Sequence, residues 1–321
     1  MFRMNAIIAT HGRRELLRRT LASLVEAHRP DGFERLIVVE NGSDSGAREI
    51  CREAADRQAV TYQHLEQAGK SRALQLVLEQ LKDGFILFLD DDIRVCPELF
   101  EVYAAAARTH GPNAFYGGPL LIDHEGNPPP EWLVKYLPYS SSGWQLEESD
   151  AVDPHTRFLG ANYGAFVDRL LRVGGFRSYL GPGSHRPGSM GNPEGEESDV
   201  QARLLSEGCP AIYLPDARVW HWLPEDRCTP RWALHRCYRR AVAEGIQETV
   251  PPGSPRLFGV PRWTWRPWLR LGVSALMANL LPDAETRFLV KRAFYQCRGR
   301  MTGMRWQRRI GRTAPGDGDV G

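Results

Sequence analysis

The chain has 321 residues, enough for one large domain or two smaller ones with a proper core. Its 41 lysines and arginines stand against 39 aspartates and glutamates, and the net charge of +2 argues against a generalised nucleic-acid binder. Six cysteines (Cys51, Cys96, Cys209, Cys228, Cys237 and Cys297) form no CxxC pair, which fits free thiols in a reducing compartment better than a zinc site or a disulfide framework. The N-terminal MFRMNAIIATHGRR has too short an apolar core for a signal peptide. The longest apolar tract, from Trp268 to Leu281, is broken by Arg270 and is too short to span a bilayer. The chain is therefore expected in the cytosol or attached to the cytosolic face of a membrane.

The first half alternates regularly. Residues 5–10 read as a strand, and 14–27 as a helix with Leu17, Leu21, Leu24 and Val25 on one face. A second strand over 35–40 opens into the turn Asn41-Gly42-Ser43-Asp44 and a helix to about Asp56. A third strand over 59–65, a helix over 71–81 and a fourth strand over 85–89 follow. Strand and helix in this order build a parallel sheet covered on both faces. Such sheets bind ligands outside the carboxyl ends of their strands. Thr10–His11, Glu40–Asn41 and Asp90–Asp92 are thereby expected along one rim.

The fourth strand, in FILFLDDDIRV, ends abruptly in Asp90, Asp91 and Asp92. Like charges that close repel unless a countercharge is present. Mg²⁺ or Mn²⁺, shared with substrate phosphates, is the commonest remedy. An acidic loop in solvent is the bland alternative, and the apolar strand before it favours the metal. GxGxxG does not follow the first strand and GxxxxGK[ST] is absent, so dinucleotide and P-loop readings are disfavoured. Glu40 can accept from a ribose diol or a base N–H, or serve only as a turn acid. Lys70, between Gly69 and Ser71 ahead of a helix, suits phosphate or is an ordinary loop lysine.

The series IIATHGR, VVENGSDS, QAGKSRALQ, FILFLDDD, FLGANYGAF and GGF…GEESDVQARL resembles the family-2 glycosyltransferases over residues 5–222. The resemblance implies a GT-A fold, with a mixed, mainly parallel sheet flanked by helices. It also implies an inverting transferase that uses a nucleotide-diphosphate sugar and a divalent metal. Thr10, His11 and Arg13 match the family's nucleotide-binding turn. Glu40 stands where the family usually has Asp. Asp90–Asp92 match its DxD motif, which gives Asp92 and also Asp90 to the metal, and Asp90 and Asp91 to the nucleotide sugar.

The second acidic cluster, Glu196-Glu197-Ser198-Asp199, opens a predicted helix that closes at Gly208. Acids in a first turn suit the helix dipole and can be purely structural. Three within four positions exceed that need, and an inverting displacement requires a carboxylate to deprotonate the acceptor hydroxyl. The family has Glu-Asp at this point and this chain Glu-Glu, so Glu197 corresponds to the base, with Glu196 second. His221, between Trp220 and Trp222, resembles a histidine that relatives aim at the metal or diphosphate; a packed core histidine reads the same. Asn162 in FLGANYGAF is a candidate sugar contact. Trp132 and Tyr136, after a run of prolines, are available to stack on a sugar. Residues 181–195 are rich in Gly, Pro and Ser and read as a mobile loop, placed to act as a lid.

The last third changes character, interleaving Trp263, Trp265 and Trp268 with Arg262, Arg266 and Arg270. This pattern suits a membrane interface, or aromatics buried against the catalytic domain. The expected organisation is a GT-A domain over 1–228, a helical basic and aromatic extension over 229–312, and a disordered tail over 313–321. The expected partners are a UDP-, GDP- or dTDP-linked sugar and a glycan or lipid-linked acceptor, with no nucleic acid and with peripheral membrane association open. A sugar-phosphate nucleotidylyltransferase would show a glycine-rich loop after the first strand, which THGRR lacks. A non-catalytic nucleotide or glycan binder would not need both acidic clusters.

Overall fold

The computed structural model describes residues 2–146, 156–183 and 195–313. These divide into two compact units, one formed by 2–124, 138–146, 156–183 and 195–223, the other by 125–137 and 224–313.

The first unit opens with β1 (Met4–Thr10), α1 (Arg14–Glu26), β2 (Phe33–Asn41), α2 (Ala47–Ala55), β3 (Val60–Leu65), α3 (Lys70–Gln80) and β4 (Phe85–Leu89). It continues with β5 (Ile93–Val95), α4 (Leu99–His110), β6 (Phe115–Gly117) and β7 (Leu120–Glu125). After α5 (Glu131–Val134), a single turn that belongs to the second unit, come the single-turn α6 (Tyr139–Ser142), β8 (Asn162–Phe166), α7 (Val167–Arg172), α8 (Glu196–Ser206), β9 (Ala211–Tyr213) and β10 (Val219–Pro224).

Seven strands form the central sheet in the order β3-β2-β1-β4-β8-β6-β9. β1 to β4 run parallel, and β8 is inserted antiparallel to both β4 and β6. All five residues of β4 are buried, as a strand covered on both faces demands. Alternation divides the strands between two cores: Ala6 and Ile8 face one with Leu17, Leu21 and Leu24, while Ile7 faces the other with Leu74, Val77 and Leu78. Gly164 of β8 lies where a Cβ would come within 2.6 Å of the Phe85 ring and 2.8 Å of the Ile86 carbonyl, so only glycine fits that strand crossing. A small second sheet, in the order β5-β10-β7, lies beyond the carboxyl end of β4. All six cysteines are free thiols.

The second unit holds α9 (Pro230–Gln247), the short pair β11 (Arg256–Leu257) and β12 (Val260–Pro261), α10 (Trp265–Met277) and the long α11 (Ala284–Thr313). α9 and α11 meet through glycines. A Cβ on Gly303 would collide with the Val242 carbonyl, and one on Gly245 with the Arg300 carbonyl. Gly303→Leu is expected to destabilise this unit by about 1–3 kcal/mol through overpacking. Lowered chemical-denaturation midpoints would report it.

Trp132 and Tyr136 depart from the expectation of sugar stacking. Both pack on Phe288 of α11, at ring-centroid distances of 5.5 and 5.3 Å, and the Tyr136 hydroxyl donates to Glu285 at 2.6 Å. Their partner lies about half the chain away, out of reach of local pattern. The predicted lid falls largely on 184–194 and the predicted tail on 314–321, both outside the described residues.

Candidate active site

The three expected motifs meet at one rim of the first unit. In the β1–β2 ladder Thr10 pairs with Glu40, while Ile8 pairs with Leu89 across β4, so Asp90–Asp92 stand at the open end of β1. The order reverses direction at β1, which makes this end the switch point where α/β sheets bind ligands. Asn41 ties the rim together. Its Nδ2 donates to the Thr10 carbonyl at 2.8 Å, and its Oδ1 accepts from the Gly69 N–H at 2.9 Å, just ahead of α3. His11 bonds the Asn41 carbonyl through Nδ1. Glu40 turns inward instead of lining the surface. It accepts from the Ser45 N–H at 2.7 Å, from the Ser45 hydroxyl, and from the Tyr62 hydroxyl at 2.6 Å. Burial works against its charge, but these bonds outweigh it and hold the carboxyl below its ordinary value.

The aspartate trio is shared between two cations. Arg13 Nη1 lies 3.1 Å from Asp91 Oδ1 and 2.9 Å from Asp92 Oδ2. The Thr10 hydroxyl donates to Asp91 at 2.6 Å. Even so, burial and the neighbouring Asp92 push the Asp91 carboxyl up to about 6. His221, held opposite Ile93 by the β10–β5 ladder, sets its Nε2 3.3 Å from Asp92 Oδ2. Lys70, the first residue of α3, places its Nζ 2.6 Å from Asp90 Oδ1 and 3.6 Å from Glu196 Oε1. Burial disfavours the ammonium, yet Asp90, Glu196 and Glu197 outweigh it and raise its pKa.

Lys70 therefore joins the two acidic clusters, which are a hundred residues apart in sequence. The acids that open α8 divide their tasks. Asp199 pairs with Arg203 at 2.6 Å and Arg177 at 3.4 Å, serving the helix itself. Glu196 is 5% exposed and points toward Lys70 and Gly181. Glu197 is only partly buried and lies against Gly160, where a Cβ would sit 3.5 Å from its Cδ and 3.4 Å from Lys70 Nζ. Burial, then the adjacent Glu196, raise the Glu197 carboxyl to about 7 against the pull of Lys70.

Asn162 does not reach this cleft. Its Nδ2 donates to the carbonyls of Pro119 and Ala217 at 2.9 and 2.7 Å, and its Oδ1 accepts from Tyr103 at 2.8 Å. It is a buried brace, because β8 is covered on both faces and every polar group there must find protein partners. Tyr163, beside it, was not legible as a site residue. It stacks on Phe88 at 4.7 Å, its hydroxyl is buried without a hydrogen-bond partner among the described residues, and Glu197, Glu196 and Asp90 all act on it.

Among the described residues no three His, Cys, Asp or Glu side chains form a complete metal cage. Asp92 and His221 offer a carboxylate and an imidazole on one side only. That partial set fits a divalent cation which completes its shell with substrate phosphates.

The chain is 24% identical over 237 residues to the succinoglycan biosynthesis protein ExoM of Rhizobium meliloti (strain 1021), covering 73% of this chain and 71% of that one. The mannosyltransferase PcManGT from Pyrobaculum calidifontis, solved with GDP-Man and Mn²⁺, superposes with a TM-score of 0.56 at 18% identity, over 94% of this chain and 86% of that one. Residues 1–349 of S. aureus TarS, in complex with UDP-GlcNAc, give a TM-score of 0.51 at 15% identity, over 97% and 92%. The family model for glycosyl transferase family 2 matches residues 6–168. With that match over half its length, and its motifs gathered at one rim, the chain belongs to glycosyl transferase family 2 and is a glycosyltransferase.

Proposed function

We propose that the chain moves a sugar from a nucleotide-diphosphate donor to a hydroxyl of a glycan or lipid-linked glycan, with inversion at the anomeric carbon, in the assembly of a cell-surface polysaccharide. The observation that carries this reading is the convergence of Asp90–Asp92 and Glu196–Glu197 around Lys70. The similarity to a succinoglycan biosynthesis protein supports the polysaccharide setting. All these groups lie in the first unit, whose described residues end at 223 and leave out 125–137.

Glu197 is the base. It is the more accessible of the two glutamates, and its raised pKa suits a group that must take a proton near neutrality. Its carboxylate removes the acceptor hydroxyl's proton while that oxygen bonds to the anomeric carbon and the bond to the nucleoside diphosphate breaks. Glu196 and Lys70 hold the base in place and set its charge. Thr10, His11, Arg13 and Asn41 form the nucleotide side of the cleft with Asp90 and Asp91, and the buried Glu40, expected as a nucleotide contact, instead braces that side through Ser45 and Tyr62. Asp92 with His221 would hold Mn²⁺ or Mg²⁺, beside Asp90. Bound there, such an ion would supply stabilisation of the charge that develops on the leaving diphosphate.

Thermal-shift titration with nucleotide sugars tests the reading. One donor should raise Tm only when Mn²⁺ or Mg²⁺ is added, and Asp92→Ala should abolish that response. A donor that stabilises both proteins equally without metal would overturn the assignment.

A further inference from the structure

In the second unit, α10 carries an apolar face that no described residue covers. Its inner side lies on α11: Trp268 meets Phe294 at 6.1 Å, and a Cβ on Gly272 would come within 3.3 Å of the same ring. Its outer side is equally apolar. Leu269, Val273 and Leu276, with Leu280 in the following turn, are 58–79% exposed. Their spacing of four, three and four residues draws one line along the helix. A helix that is apolar on both sides belongs in a core or against lipid.

The surrounding charge says which surface meets this line. Between Glu248 and Asp283 the chain has four arginines, Arg256, Arg262, Arg266 and Arg270, and no acid. Arg262, Arg266 and Arg270 are exposed, and on the helical wheel Arg266 and Arg270 fall beside the leucine line. Trp263, 53% exposed, stands just ahead of α10. A second copy docked face to face would set arginine against arginine without an acid to answer it. An anionic bilayer meets both demands, with phosphates for the arginines and acyl chains for the leucines. The 13 residues of α10 extend about 20 Å, against a hydrocarbon core of about 30 Å. No described helix is long and apolar enough to cross a membrane.

We propose that α10 lies flat in the headgroup region of an anionic membrane, with Leu269, Val273, Leu276 and Leu280 inserted and Arg262, Arg266 and Arg270 on lipid phosphates. This binding needs neither donor nor acceptor, so it stands or falls apart from sugar transfer.

Flotation of the full chain with vesicles tests it. The chain should float with phosphatidylcholine mixed with phosphatidylglycerol, and far less with phosphatidylcholine alone. Leu276→Gln combined with Leu280→Gln should weaken binding about tenfold or more, since insertion scales with buried apolar area. The triple variant Arg262→Gln, Arg266→Gln, Arg270→Gln should lose the preference for phosphatidylglycerol, and added salt should weaken the parent in the same way. Circular dichroism checks that each variant is folded. If the leucine pair proves necessary for folding, the arginine variant alone decides. Failure of the parent to float, or flotation that ignores both sets of substitutions, overturns the proposal. So does a parent dimer that the leucine substitutions convert to monomer, because a second copy would then be what covers the face.

Discussion

Glu197→Gln is expected to lower kcat for sugar transfer by about 10²–10⁴-fold, the usual contribution of a positioned base. Donor binding, read by metal-dependent thermal stabilisation, stays as in the parent, because Asp92 and the nucleotide rim are untouched. The pH profile separates loss of a base from loss of structure. Only the ionised carboxylate can accept a proton, and burial with the adjacent Glu196 raises Glu197 to about 7. The parent's rate should therefore climb as pH rises through that value and then level. The residual rate of the glutamine variant should lack this limb. Glu197→Asp should retain a substantial part of the activity with the limb intact, since aspartate keeps a carboxylate at that place, one methylene shorter. A glutamine variant with parental kcat would remove Glu197 from the mechanism.

Lys70→Met is expected to harm stability and catalysis together. The ammonium lies 2.6 Å from Asp90 and 3.6 Å from Glu196, and its removal leaves these carboxylates facing one another with Glu197. Breaking a buried charge pair costs about 3–5 kcal/mol. The Lys70 and Asp90 side chains keep 19% and 27% exposure, so solvent screening draws the loss to the lower part of that range. The sign of its pH dependence follows. Without the lysine's pull the folded Glu197 carboxyl, already raised to about 7, binds its proton still more tightly than the unfolded one, so stability is retained at low pH and lost as pH rises through that raised value. Urea unfolding at two pH values should show the variant weakest in alkali. Its rate profile should also shift to higher pH, because Glu197 then ionises later. An unchanged profile would make Lys70 a phosphate contact with no hold on the base.

Much of this was legible in the sequence for a definite reason. The run from Phe85 to Asp92 states its own geometry, because five apolar residues followed by three carboxylates can only be a buried strand reaching a polar rim. Alternation of strand and helix then brought Thr10, Asn41 and Asp90 to one edge by topology alone. Asn162 failed for the opposite reason. In a strand buried on both faces, no alternation says whether a polar side chain points toward ligand or toward the Pro119 and Ala217 carbonyls. Trp132 and Tyr136 failed because their partner Phe288 is distant in sequence. The lysine's double engagement with Asp90 and Glu196 depends on side-chain direction at the start of α3, which sequence spacing does not carry.

The clamp formed by Asn41 has a further chemical consequence. Asparagine followed by glycine is the dipeptide most prone to deamidate, because the unhindered glycine nitrogen attacks the side-chain amide and closes a succinimide ring. In the folded chain the Gly42 nitrogen donates to the Leu65 carbonyl at 2.8 Å, and the Asn41 amide is held at both ends by Thr10 and Gly69. The attacking and attacked groups are thus both engaged elsewhere. That engagement should hold off chemical ageing at this bond while the chain stays folded, and aspartate, were it formed, would set a negative oxygen against the Thr10 carbonyl and loosen the rim.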